Sequence, residues 1–369
     1  MTHSKLIQNI IQGDFHEVKK LVAKGHIISE HALQKGAEHG HLDIVKYLVK
    51  KGANIHADSE NALKWGAYNG HLDIVKFLVE KGAKIDVTLQ ISVERGHLDI
   101  VKFLVEKGAN IRVKNDNALK LSAKYGHLDI VKFLVEKGAD IHACNEYALR
   151  WSAHQGYLDV VKFLVEKGAN IHANFEEALQ NSASNGHLDI VKFLVEKGAD
   201  IHTEEHCALV CGAENGHLDI VKYIIKKGSY VITEEWGINN YEFDEALTQS
   251  AANGHLDVVK YLVEKGADIH ENSEFALKIS AVNGHLDVVK FLVEKGADIH
   301  ADSEETLQVS SSNGHIDIVK YLVEKGADIH ADNEYALQLS AEHEHLDVVK
   351  FLVGKGANIP DGPDIKKML

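Results

Sequence analysis

Twenty-five histidines give this chain its most evident capacity for chemistry. Imidazole ligates metals and exchanges protons near neutral pH, so spacing decides what these side chains do. They fall into two series. One follows a glycine (His41, His71, His97 and onward); the other closes a segment of the Gly-Ala-Asp-Ile-His type (His56, His142, His172, His202, His270, His300, His330). Neighbouring members of a series stand roughly 8–10 Å apart if they sit on stacked helices, whereas the ligands of one metal converge at about 2 Å. The periodic histidines therefore read as hydrogen-bonding groups of turns. As neutral donors they imply that protonation near pH ~6 loosens the packing. Cys207 and Cys211, beside His206, are a better ligand pair, but no second pair accompanies them. No glycine-rich phosphate loop follows a strand, and no Ser-His-Asp or Cys-His set stands outside the repeating pattern. The Asp and His of His71-Leu72-Asp73 recur in nearly every copy, as residues of a fold do. The expectation is a non-enzyme without metal or cofactor.

The elements that position these groups are written in one stretch, Gly70-His71-Leu72-Asp73-Ile74-Val75-Lys76-Phe77-Leu78-Val79-Glu80-Lys81-Gly82. Its opening glycine recurs at Gly40, Gly96, Gly126, Gly156, Gly186, Gly216, Gly254, Gly284 and Gly314. Gly13 opens a degenerate first copy and Glu344 takes the glycine's place in the last, twelve copies in all. The spacing is 30 residues with exceptions of 27, 26 and 38. A period of this size means stacked structural repeats. Within one copy, Leu72, Ile74, Val75, Phe77, Leu78 and Val79 cover most of a helix, leaving Asp73, Lys76 and Glu80 on a narrow wet stripe. Those charges are spaced to pair weakly along the helix. Gly82 reads as a left-handed stop. Upstream, Ser59 to Asn69 reads as a second, shorter helix with Ser59 as N-cap and Glu60 close behind. Its small residues Ala62, Gly66 and Ala67 allow close approach to neighbours. Gly138 to Asn145 reads as a brief extended finger between repeats.

Short helix, glycine turn, long helix and finger, in that order, resemble the ankyrin repeat over roughly residues 4–360. The resemblance rests on Gly-His-Leu-Asp-Ile-Val-Lys-Phe-Leu and Gly-Ala-Asp-Ile-His-Ala. Two departures stand out. The family's period is about 33 residues and its short helix opens Thr-Pro-Leu-His; here the period is 30 and the same place reads Asn61-Ala62-Leu63-Lys64 or Tyr147-Ala148-Leu149-Arg150. The missing residues fall in the finger, so short fingers are expected. The wording also resembles the long ankyrin arrays of giant DNA viruses. The fold expected is an all-α ankyrin-type helical repeat solenoid, curved, elongated and about 100 Å long at the helix-packing distance.

Unbroken periodicity overrides the two or three domains that 369 residues suggest. Residues 1–360 are read as a single array, with a capping first repeat over 1–25 in which Leu6, Ile7, Ile10 and Ile11 face inward. A short repeat spans 83–108, where a notch is expected. An insertion spans 229–243 and divides eight repeats from four. A short tail, 361–369, follows; either Ile365, Met368 and Leu369 cover the last helix, or that end frays or joins a partner. The net charge is −15; the twelve long-helix segments sum to +5, leaving −20 for fingers and short helices. An acidic finger side argues against nucleic acid and favours a protein partner with basic surface. Three cysteines form no disulfide framework and point to a reducing compartment. The start is no signal peptide, and no apolar run is long enough to span a membrane. A monomer in the cytoplasm is expected, or in the host cytoplasm should the chain be viral.

Copies differ where chemistry with a partner would lie. The long helix hardly changes, but the two residues before the glycine vary, as in Tyr68-Asn69, Lys124-Tyr125, His154-Gln155 and Ser184-Asn185. So does the start of the short helix: Tyr147, Phe175, Cys207, Phe275, Glu305, Tyr335. The resemblance implies that these places line a concave binding face; drift at unconstrained positions is the competing explanation. Trp65 and Trp151 stand where other copies are mostly apolar and read as core. The insertion adds Tyr230, Trp236, Tyr241 and Phe243, aromatics that suit a protruding anchor; the competing explanation is that Trp236 and Tyr241 fold back and close the loop on its own repeat. The partner-binding set is Tyr68, Asn69, Tyr125, Tyr147, His154, Gln155, Tyr230, Trp236, Tyr241, Phe275 and Tyr335. The function implied is a protein-interaction scaffold or adaptor. A spacing element with no specific partner is the alternative. An adaptor for a ubiquitin-ligase complex would need a recruiting box, for which the tail is too short.

Overall fold

The computed structural model describes residues 2–85, 88–203, 208–228 and 241–359, all helix and turn with no strand among them. It comprises two compact units, Met1–Asn174 and Phe175–Leu369. In each, two helices per repeat alternate, termed first and second helix below. In the repeat read above they are Ala57–Tyr68 and Leu72–Glu80. First helices pack on first helices of the next repeat and second on second, as Val113–Lys124 does on Ala143–Gln155 and Leu42–Lys50 on Leu72–Glu80. The core is the seam between the rows. Ile74, Val75 and Leu78 meet Ala62, Leu63, Gly66 and Ala67, all buried. Each of the larger side chains contributes roughly 1.5–3 kcal/mol by leaving water. In the first repeat Leu6 and Ile10 are buried, but Ile11 is 38% exposed, contrary to expectation, because it lies one residue off the apolar stripe.

The turn between the two helices explains its own glycine. Gly40 has φ 80°, and a Cβ there would lie 2.7 Å from Cε1 of His71, the histidine of the following copy. The glycine is thus required twice, by backbone and by the neighbour's ring. Glu344 keeps the left-handed backbone at φ 61°. No described copy follows it, so no ring occupies the space its Cβ needs.

The entry to the first helix departs from expectation. Asp58, Ser59 and Glu60 have φ of 48°, 57° and 68° with positive ψ, a left-handed turn. Ser59 is therefore no N-cap, and right-handed helix begins only at Asn61. The turn recurs at residues 114–116, 144–146, 174–176, 272–274, 302–304 and 332–334. Left-handed conformation costs an L-residue about 1–2 kcal/mol, least for Asn and Asp, whose side chains bond locally. Most of the first two places hold Asp, Asn or Ser; Lys114, Cys144 and Phe175 do not. The right-handed part, residues 61–68, is close in length to Leu72–Glu80, so "short" and "long" helix differ little.

Both spacing anomalies leave the stack intact. In the short repeat the first helix is Thr88–Glu94, and His97 Nε2 still reaches Tyr68 O at 3.0 Å. The expected notch falls on residues 86–87, outside the described residues. Of the insertion, 229–240 lies outside them too. Helix Tyr241–Ala252 claims its end, and Phe243 is 6% exposed in the core rather than on a loop. Across it Leu218–Lys227 packs on Leu256–Glu264, and His255 Nε2 reaches Glu214 O at 2.9 Å, so the insertion does not divide the repeats. The last second helix is Leu346–Gly354; its expected cover, Ile365, Met368 and Leu369, lies outside the described residues.

Candidate functional site

The histidines act as inter-repeat braces, in two ways. Those after the glycine donate Nε2–H to a backbone carbonyl of the preceding repeat: His71 to Glu38 at 3.1 Å, His127 to Glu94 at 3.0 Å, His315 to Val282 at 2.8 Å. A carbonyl can only accept, and both the neutral ring and the imidazolium can supply that proton. Those in the finger bind the carboxylate that ends the left-handed turn. Nδ1 of His142, His270 and His300 lies 2.5 Å from Glu146, Glu274 and Glu304, which are only 4% exposed. His330 sits 2.8 Å from Glu334, and Arg112 takes the same role 3.0 Å from Asp116. The carboxylate also accepts the backbone N–H of the next finger, Asp140 on Asp116 and Asp328 on Glu304, each at 3.0 Å.

These pairs reverse the expected acid response. The hydrogen bond to the glutamate raises the pKa of His142, His270, His300 and His330, against the opposing effect of desolvation. A raised folded-state pKa stabilises below the ordinary histidine range and is lost as pH rises through the folded value. Protonation therefore tightens the fingers and leaves the carbonyl bonds in place. Burial raises the Cys211 thiol, so it is not poised as a thiolate. Cys207 and His206 lie outside the described residues, among which no group of three or more His, Cys, Asp and Glu converges.

Within Met1–Asn174 the variable places lie on the exposed side of the first-helix row. In Met1–Asn174 they form a ladder of rings and cations. The Arg95 guanidinium lies 3.7 Å from the Tyr68 ring centre, Lys124 4.8 Å from Trp151 and Lys120 5.6 Å from Tyr147. Rings also meet within a helix, Trp65 with Tyr68 at 5.2 Å and Tyr147 with Trp151 at 5.6 Å. His154 stands edge-on to Trp151 at 5.1 Å, and the Tyr125 hydroxyl donates to Glu94 at 3.3 Å. That carboxylate raises the Tyr125 pKa by its charge. Tyr68 and Tyr125 are 39% and 40% exposed. Trp65 and Trp151 are half-buried on this face rather than in the core assigned to them, because their place points along the row and not into the seam.

The remaining candidates are scattered. Asn69 closes its own helix, donating to Trp65 O at 2.9 Å, as Asn185, Asn253 and Asn313 do in their helices. Gln155 is exposed beside His154. Phe275 and Tyr335, 44% and 43% exposed, stand in the second unit. Tyr230 and Trp236 lie outside the described residues, as does the Tyr241 side chain. The cations of the ladder, Arg95, Lys120 and Lys124, were not read as site residues. Lys124 and Lys120 precede their rings by 27 residues (124 and 151, 120 and 147), one repeat less a helical turn, whereas Arg95 follows Tyr68 by 27, one residue more than the 26-residue short repeat between them. That register was the available signal.

Charge divides the chain as sharply. Residues 1–174 hold 24 Lys and Arg against 20 Asp and Glu; residues 175–369 hold 16 against 35. The formal charges, +4 and −19, make up the net −15. Second-helix segments contribute +3 and +2, so fingers and first helices carry +1 in the first unit and −21 in the second. The acidic finger side, read as general, belongs to residues 175–369. There Lys278, at the place of Lys120, is held by Asp302 at 2.8 Å and Glu305 at 2.7 Å instead of facing a ring.

A family model described as "Ankyrin repeats (3 copies)" matches residues 6–89, 88–145, 149–235, 230–303 and 299–361. No curated protein matches the chain.

Proposed function

The chain belongs to the ankyrin-repeat family, whose repeats are in general protein–protein interaction modules, and from that premise we propose that it is a scaffold or adaptor binding protein partners on its first-helix face. One observation carries this reading. Large rings that a fold would ordinarily bury, Tyr68, Tyr125 and Trp151, stand on a helical face exposed to solvent, while the second helices are nearly invariant among copies. Aromatic side chains on a rigid support are the usual anchors of recognition. Such a role needs no catalysis, and the family is typically non-enzymatic. No described helix is long and apolar enough to cross a membrane.

The −21 of the second unit's fingers and first helices supports a partner with basic surface there. A monomer working inside the cell is the state this reading assumes. The repeat wording that resembles giant-virus arrays supports a viral protein acting in host cytoplasm.

The test is an affinity pull-down comparing the wild type with Tyr68→Ala/Tyr125→Ala/Tyr147→Ala, both first shown by circular dichroism to fold. Proteins retained by the first and lost by the second support the face and identify its partner. Equal recovery on both, or none on either, favours a spacing element.

A further inference from the structure

We infer that the ladder of Met1–Asn174 docks an acidic polypeptide segment in which carboxylates recur about every third residue. This rests on the reading of the first-helix face as a recognition surface and specifies its occupant. The cations are the reason. Among the described residues, neither Arg95 nor Lys124 has a carboxylate within 4.0 Å, although both lie on the protein's exposed face against a ring. In the second unit Lys278, at the place of Lys120, is instead neutralised by Glu305 and Asp302. Arg95 and Lys124 are thus held by their π contacts, with their outward N–H groups left for a ligand, whereas Lys120 Nζ lies 3.2 Å from Lys114 O and 3.4 Å from Cys144 Sγ. A guanidinium between an aromatic ring and a carboxylate gains from both.

The geometry also sets the ligand's pattern. Arg95 and Lys124 stand on successive first helices, about 8–10 Å apart. An extended peptide rises about 3.3 Å per residue, so three residues span that step. Apolar side chains between the carboxylates would meet the edges of Trp65 and Trp151. A nucleic acid fits less well. Bases stack on free ring faces, and those of Tyr68 and Trp151 already carry cations.

The test uses the full chain and three labelled probes: a peptide with glutamate at every third position among leucine and serine, the same peptide with lysine for glutamate, and oligouridylate. Fluorescence anisotropy should show saturable binding of the glutamate peptide, weakening with salt. Arg95→Gln/Lys124→Gln should reduce its affinity at least about tenfold, the effect of a hot-spot side chain, with the circular dichroism melt unchanged. Arg95→Lys/Lys124→Arg should retain much of it. No binding, or binding untouched by the glutamine variant, overturns the inference. Preference for oligouridylate overturns it in favour of nucleic acid. Self-association of the wild type that the glutamine variant abolishes overturns it in favour of a second copy. Failure here with a positive tyrosine pull-down refutes the acidic occupant and leaves the recognition face standing.

Discussion

His300 shows how one side chain can respond to pH against first intuition. Its Nδ1 meets a nearly buried Glu304, and that bond raises its pKa. The pair's contribution is complete below pH ~6 and fades as pH rises through the elevated value. The stability difference between wild type and His300→Gln, from urea unfolding, should accordingly be larger at pH ~6 than at pH ~8. A second expectation concerns the two glycines of one repeat. Gly52 has φ 91° with nothing within 4 Å of an added Cβ, so Gly52→Ala should cost only the left-handed backbone, about 1–2 kcal/mol. Gly40→Ala should cost about 1–3 kcal/mol more, because the methyl displaces the His71 ring and its 3.1 Å bond to Glu38 O. Urea unfolding of the two variants checks the order. That the histidines are structural was legible from their period alone. Their sign of response was not, since a period does not say which atom each ring meets.

At the scale of elements, helices and glycine turns followed from apolar spacing, because burial of Ile74, Val75 and Leu78 fixes one face whatever surrounds it. The left-handed entry turn did not. Ser59-Glu60 fits an N-cap motif equally well, and hydrophobic periodicity carries no information on the sign of φ. The turn's composition does have a consequence. Cys144 has φ 53° at a place that most other copies fill with Asp or Asn. Cys144→Asn should stabilise the protein by up to about 1 kcal/mol, seen as a raised urea midpoint. The ladder was half legible for a similar reason: exposed tyrosines mark themselves by varying, whereas Trp65 and Trp151 look like core until the row direction is known.

For the whole molecule the decisive quantity is where charge lies. A sum over all fingers conceals that one unit carries −21 there and the other +1. The unit boundary itself, between Asn174 and Phe175, falls inside an ordinary repeat and leaves no mark in the sequence. Self-repulsion in the acidic unit is screened over about 10 Å at 0.1 M salt. Hydrogen exchange should therefore show protection of Leu256–Glu264 and Leu286–Glu294 rising with salt more than that of Leu98–Glu106 and Leu128–Glu136.

In most described copies the glycine of one and the histidine of the next form a socket and a plug; against Gly126 the plug is Tyr157. Within one unit, removing or duplicating a stretch of one full 30-residue period between histidine-bearing copies rejoins a plug to an identical socket. Such an array can change length by unequal recombination without inventing an interface, and near-identical second helices give recombination the matching sequence it needs. Glu344 stands outside that economy: a copy stacked upon it would bring its ring against a side chain. Growth is open between the copies at Gly40 and Gly314 and closed beyond Glu344 until that residue reverts to glycine.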